Sequence, residues 1–196
     1  MALEVGIARA AMNATEICGD IAHAWCTPDH EVVAIADGLG HGPDAAQAAG
    51  VAMEHIGHHL DVEMEALFLG LGQALASTRG AAVGVARIEP RTGACCYGAL
   101  GNTRAGVFGW RVMRLDAKPG IVGAGMRGNL QPLSFQLHPG DHLVMWTDGL
   151  EERLGLPSDL LASEPPPRMA ETLLHRHYQG KDDGCVLVAR FSLTRG

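Results

Sequence analysis

The 196-residue chain has few of the features that mark membrane, secreted or nucleic-acid-binding proteins. No apolar run reaches the roughly 20 residues that a membrane-spanning helix needs. No basic segment precedes an apolar run at the start, where Glu4 and Arg9 intervene, so no signal peptide is indicated and we expect a cytoplasmic protein. With 15 Lys and Arg against 22 Asp and Glu, and no basic cluster, the composition argues against nucleic acid as a ligand.

Cysteines and aromatic residues are also scarce. The five cysteines never form a C-x-x-C pair, which argues against a disulfide framework and a zinc site and favours reduced thiols. Only nine residues are Phe, Trp or Tyr whereas 26 are glycine, so we expect many tight turns and a sheet-rich fold with a core of small residues. A chain of this length can bury one large core, and we expect a single domain over residues 1–196.

The pattern of short apolar segments and turn residues predicts an α+β fold. Apolar spacing of three or four residues predicts helices over 43–59, 62–78 and 169–178, and the run of prolines within 163–167 predicts a surface loop. The strands over 81–88, 94–100, 103–108 and 111–115 are expected to form one antiparallel meander. The remaining predicted strands are 3–9, 21–26, 32–36, 133–137, 142–147 and 185–191.

Acidic residues lie at the ends of four predicted strands. Two strands run directly into the same tripeptide, Asp37-Gly38-Leu39 and Asp148-Gly149-Leu150, while Asp182-Asp183 and Gly19-Asp20 each precede a strand. If two of these strands run opposite to the other two, all four acids gather at one edge. Each Asp-Gly pair alone is more often a structural turn, but the joint pattern favours a functional site.

Carboxylates packed this closely repel one another unless cations offset them, so we expect a divalent metal site. Carboxylates, a backbone carbonyl and water are hard oxygen donors that suit Mg²⁺ or Mn²⁺ better than Zn²⁺. Two such ions outweigh the charges of Asp37, Asp148 and Asp182. The remaining positive charge would hold a phosphate dianion, and a metal-activated water would be the nucleophile.

The run Ala36-Asp37-Gly38-Leu39-Gly40-His41-Gly42-Pro43 resembles a motif of the metal-dependent PPM (PP2C-type) protein phosphatases. Gly19-Asp20 before it, Thr147-Asp148-Gly149 after it and Asp182-Asp183 near the end follow in the same order. The chain is most similar to the SpoIIE-like bacterial branch and, within it, to the small RsbX-like phosphatases of the stressosome. The resemblance extends from Leu3 to Phe191.

The resemblance implies an α-β-β-α sandwich of two antiparallel sheets with a dinuclear Mn²⁺ or Mg²⁺ centre at one edge. By motif, Asp37 would bridge both metals, the Gly38 carbonyl would ligate one of them, Asp148 and Asp182 would ligate the other, and Asp20 would hold metal-bound water. The implied substrates are phosphoserine or phosphothreonine on STAS-domain proteins of a stressosome. Two alternatives stay open: an inactive metal-binding scaffold, and a small-metabolite phosphatase with the same metals.

Three positions call for separate comment. Cys185 stands where the family often has Thr or Ser, which affects a local hydrogen bond. Arg9 is the candidate for a phosphate-binding arginine upstream of Asp20. His41 follows the metal-binding turn and is equally consistent with substrate contact and with packing at the start of a helix.

Overall fold

The computed structural model describes residues 2–12, 17–124, 130–156 and 164–193. Within these ranges the chain forms ten strands and three helices. The strands are β1 (Leu3–Ala10), β2 (Asp20–Cys26), β3 (Glu31–Gly38), β4 (Ala81–Ile88), β5 (Ala94–Leu100), β6 (Arg104–Phe108), β7 (Met113–Leu115), β8 (Leu133–Gln136), β9 (His142–Trp146) and β10 (Gly184–Phe191). The helices are α1 (Pro43–His58), α2 (Met64–Ala74) and α3 (Pro166–His177).

The strands form two antiparallel sheets of five strands each. One has the order β1-β10-β9-β6-β7 and the other the order β2-β3-β4-β5-β8. The expected single meander is wrong, because β4 and β5 pair in one sheet while β6 and β7 pair in the other. The chain changes sheets at Gly101, which has φ of +113°, a backbone conformation that favours glycine.

Three apolar layers hold the two sheets and the helices together. Between the sheets, Ile35 and Tyr97 of one sheet belong to the same buried cluster as Met145 and Leu187 of the other. A second cluster lies between α1, α2 and the β2-to-β8 sheet, and a third between α3 and the β1-to-β7 sheet. The α+β prediction and the α-β-β-α sandwich of two antiparallel sheets flanked by helices are both confirmed.

The first two helices follow the predicted apolar stripes with small shifts. Helix α1 buries Ala49, Met53 and Ile56 as expected, together with further alanines that let the helix pack closely against the sheet. Helix α2 is shorter than predicted, yet Leu67 and Leu71 are fully buried.

The third helix begins earlier than the sequence suggested. Pro166 and Pro167, predicted to belong to a loop, occupy its first turn. Proline is tolerated there because the N–H groups of the first turn have no partner within the helix. Ser163, the first residue of that predicted loop, lies outside the described residues.

None of the helices in the described ranges has the length and apolar character that crossing a membrane requires.

Candidate metal centre

The structure brings the four predicted acids together at one edge of the sandwich. Asp20 and Asp37 are paired directly across β2 and β3. Asp148 follows the end of β9 and Asp182 precedes the start of β10, and these two strands pair antiparallel, so both acids lie at the same end of the other sheet. Asp37, Asp148 and Asp182 line one cavity of about 460 Å³.

Asp20 is the most buried of the four, with 2% of its surface exposed. The Thr147 hydroxyl donates a hydrogen bond to its Oδ2 over 2.6 Å, which links the end of β9 to the start of β2. The pKa of Asp20 is raised to about 7. Burial is the main cause, the Thr147 hydrogen bond opposes the shift, and the charges of nearby aspartates, Asp183 foremost, contribute to it. Asp20 therefore lies in a strongly negative environment.

The pKa of Asp37 is raised for the same reasons as that of Asp20. Its pKa is raised to about 8; burial is the main cause, and the charges of Asp20, Asp148 and Asp182 contribute. A hydrogen bond from Asn102 lowers it in part. No lysine or arginine is among the main causes of the pKa shifts of Asp20 and Asp37. A bound cation would lower both pKa values and so favour the ionised carboxylates.

The donor set fits Mg²⁺ or Mn²⁺. The carboxylates supply oxygen donors only, which are the ligands that these hard cations prefer. Within the described ranges, no three His, Cys, Asp or Glu side chains lie close enough to enclose a metal by themselves. Mg²⁺ usually keeps several waters in its coordination sphere, so the protein need not supply all of its ligands.

The adjacent acids Asp182 and Asp183 have different surroundings. Asp182 is half-buried and lines the cavity, and its Oδ1 accepts the N–H of Asp183 over 2.8 Å. Asp183 is 3% exposed and accepts two backbone hydrogen bonds, from Met12 to Oδ1 over 2.7 Å and from Gly19 to Oδ2 over 2.6 Å. Asp183 thus anchors the segment that leads into Asp20, while Asp182 faces the candidate site.

Both Asp-Gly pairs require glycine for packing. A Cβ on Gly38 would lie 2.0 Å from the carbonyl oxygen of Ala45 in α1, and one on Gly149 would lie 1.8 Å from the carbonyl oxygen of Asp183. The glycines therefore let α1 and the Asp183 segment approach the two acidic turns.

Sequence reasoning missed two residues that connect the acids. Asn102 Nδ2 donates to Asp148 Oδ2 over 2.7 Å and also hydrogen-bonds Asp37. Thr147 Oγ1 accepts the backbone N–H of Cys185 over 2.8 Å, so the hydrogen bond at Cys185 uses its backbone and needs no hydroxyl side chain. The Thr147-Asp148-Gly149 motif could have indicated a role for Thr147, because it adjoins a predicted ligand. Nothing in the sequence around Asn102 indicates that it contacts the acids.

The two remaining candidates, Arg9 and His41, both have exposed side chains. Arg9 is exposed on β1, and the groups whose pKa its charge lowers are the thiols of Cys18 and Cys185. His41 is exposed in the turn between β3 and α1.

Two antiparallel sheets flanked by helices, with an edge of carboxylates, define the class of PP2C-type serine/threonine phosphatases. The family model described as stage II sporulation protein E (SpoIIE) matches residues 27–192, and the chain belongs to this family. No curated protein matches the chain.

Solved structures agree with this class. One, from work on the bacterial stressosome as a modular system adapted to control secondary messenger signalling, is 27% identical over 97% of this chain and 100% of that one, with a TM-score of 0.91. RsbX in complex with magnesium is 19% identical over 97% and 96% of the two chains, with a TM-score of 0.80. The PP2C domain of SpoIIE from Bacillus subtilis is 22% identical over 99% and 64%, with a TM-score of 0.83. Because RsbX and the SpoIIE domain are only 19% and 22% identical to this chain, their similarity to it concerns the fold alone.

Proposed function

We propose that this protein is a metal-dependent phosphoserine/phosphothreonine protein phosphatase of the RsbX-like type, with residues 1–196 acting as one catalytic domain. The observation that carries the proposal is the meeting of four carboxylates from both sheets at one edge, where burial and mutual repulsion raise the pKa values of Asp20 and Asp37. Membership of the SpoIIE family supports the same chemistry.

In this proposal Asp37, the carbonyl of Gly38, Asp148 and Asp182 hold two Mn²⁺ or Mg²⁺ ions, and Asp20 holds water next to them. When bound, such ions supply a Lewis acid for a phosphoryl oxygen and lower the pKa of a water. Asn102 fixes the orientation of the Asp148 carboxylate through its 2.7 Å hydrogen bond. Thr147 fixes Asp20 in the same way, so both acids are held in place by hydrogen bonds from the protein.

We propose phosphorylated STAS-domain proteins of a stressosome as the substrates and the cytoplasm as the compartment. The 27% identical structure comes from work on a stressosome, and RsbX is among the proteins of similar fold, which supports this choice. The candidate site lies at the end of strands and is bordered by short turns such as residues 38–42, which suits a phosphorylated loop on a folded protein.

A side-by-side assay tests the proposal. Purified protein with Mn²⁺ or Mg²⁺ is given phosphorylated STAS-domain proteins and a panel of small phosphate esters, with and without EDTA. We expect metal-dependent release of phosphate from the proteins. A preference for a sugar or nucleotide phosphate would favour a metabolite phosphatase, and metal binding without turnover of any substrate would favour a scaffold.

A further inference from the structure

Arg79 lies beside a turn that lines the cavity holding the acids. Arg79 stands two residues before β4, and its Nη1 is 3.0 Å from the position that a Cβ on Gly40 would take. Gly40 lines the cavity together with Asp37 and Asp148. The guanidinium group of Arg79 is therefore placed against the turn that follows Asp37.

The backbone around Arg79 is fixed to that same turn. The hydroxyl of Thr78 donates to the carbonyl of Leu75 over 2.8 Å and accepts the N–H of Gly80 over 3.0 Å. The carbonyl of Gly80 in turn accepts the N–H of Leu39 over 3.0 Å. These bonds hold the backbone next to Arg79 against the turn that follows Asp37.

The guanidinium group of Arg79 has more hydrogen-bond donors than its contact with Asp44 uses. Its Nη2 donates to Asp44 Oδ2 over 2.6 Å, and the two side chains are 51% and 62% exposed. An exposed ion pair of this kind contributes little to stability, so it can exchange partners readily. A guanidinium carries five N–H donors, and a single carboxylate oxygen leaves most of them available for the oxygens of a phosphoryl group.

We propose that Arg79 binds the phosphoryl group of the substrate at the mouth of the cavity, exchanging all or part of its contact with Asp44 for the phosphoryl oxygens. The proposal rests on the function proposed above. It assigns to Arg79 the task that the sequence suggested for Arg9, which lies exposed on β1. A positive side chain beside this cavity would offset the negative charge of Asp37, Asp148 and Asp182, which line it.

Binding of inorganic phosphate tests the proposal without requiring turnover. Calorimetry on the Mg²⁺-loaded protein compares the wild type with Arg79→Ala, Arg79→Lys and Asp44→Asn. We expect Arg79→Ala to weaken phosphate binding about tenfold, the effect of losing charge-assisted hydrogen bonds, and Arg79→Lys to restore part of the loss. Asp44→Asn breaks the same ion pair but leaves the arginine free, so phosphate should bind as tightly as to the wild type, or more tightly.

Turnover of p-nitrophenyl phosphate gives a second readout, in which Arg79→Ala should raise KM by a factor close to its effect on phosphate binding. Circular dichroism confirms that each variant is folded. Unchanged phosphate binding by Arg79→Ala would overturn the proposal, as would an absence of phosphate binding by the wild type. Equal weakening by Arg79→Ala and Asp44→Asn would also overturn it, because the ion pair would then only position the turn. A wild type that binds phosphate through Arg79 but hydrolyses no ester would contradict the proposed function and leave this inference standing.

Discussion

Replacing Asp183 by Asn tests whether the two adjacent acids have separate tasks. Asp183 is 3% exposed and accepts backbone N–H groups over 2.7 and 2.6 Å. Asparagine keeps one acceptor oxygen and presents an NH₂ group to the other N–H donor. Losing one charge-assisted hydrogen bond costs about 1.5 to 3 kcal/mol, and relief of repulsion with Asp20 offsets part of it, so we expect a net loss of about 2 kcal/mol.

The assay is thermal and urea unfolding in the presence of EDTA. A loss of about 2 kcal/mol corresponds to a decrease in Tm of roughly 4 to 8 °C for a domain of this size. The matched control is Asp182→Asn, because Asp182 is half-buried and the hydrogen bond that it accepts from the N–H of Asp183 can be kept by the asparagine oxygen. That variant should unfold within about 0.5 kcal/mol of the wild type.

Metal affinity should show the opposite order. Asp182→Asn removes a negative charge from the cavity and should weaken Mn²⁺ binding, whereas folded Asp183→Asn should bind Mn²⁺ more nearly like the wild type. If Asp183→Asn loses metal affinity and Asp182→Asn does not, the assignment of Asp182 as the ligand is refuted. Equal stability of both variants would refute the structural task given to Asp183.

Three further predictions follow from the geometry of the acidic edge. Without metal, the free energy of unfolding should fall as pH rises from about 4 to 8. The reason is that Asp20 and Asp37 have pKa values of about 7 and about 8 in the folded protein, whereas unfolded aspartates release their protons near 3.8. Urea titrations with EDTA at several pH values check this. Added Mg²⁺ should reduce the fall. Gly38→Ala should destabilise the fold by more than about 3 kcal/mol, because the new Cβ would overlap the Ala45 carbonyl. The control in the same unfolding assay is Gly50→Ala, where a Cβ meets nothing within 4 Å. Finally, kcat/KM toward an intact phosphorylated STAS domain should exceed that toward a short phosphopeptide of the same sequence; equal values would contradict docking on the folded partner.

Strand positions were predictable because the signals for them are local. Apolar runs bounded by glycine, aspartate and proline predict the ten strands of the described residues to within a few positions, and the acidic residues at their ends indicate a shared edge. Strand pairing is not local, so the sequence did not reveal that β5 and β6 belong to different sheets. The sequence places the start of α3 too late, because a run of prolines is typical of a loop, although proline is tolerated in the first turn of a helix.

The connections among the acids could not be predicted for the same reason. Asn102 and Asp148 are 46 positions apart, and Asp183 and Gly19 are 164 apart, so no pattern in the sequence pairs them. The acids themselves are prominent in the sequence because Asp20, Asp37 and Asp148 each lie beside a glycine at a strand end, and Asp182 belongs to an acidic pair that precedes a strand. The family resemblance selects Asp182 rather than Asp183 as the ligand, but the physical difference between them, the backbone hydrogen bonds that Asp183 accepts, is seen only in the structure.

The central claim is that Asp37 and its neighbours hold divalent metal ions that hydrolyse phosphate esters. The most direct measurement is calorimetric titration of EDTA-treated protein with Mn²⁺, followed by an assay of phosphate release from a phosphorylated STAS-domain protein by the same samples. We predict that the wild type binds Mn²⁺ and becomes active, and that folded Asp37→Asn shows weaker binding and a greater loss of rate than asparagine at Asp20, Asp148 or Asp182. Activity that survives complete chelation, or wild-type binding and turnover by Asp37→Asn, would contradict the account.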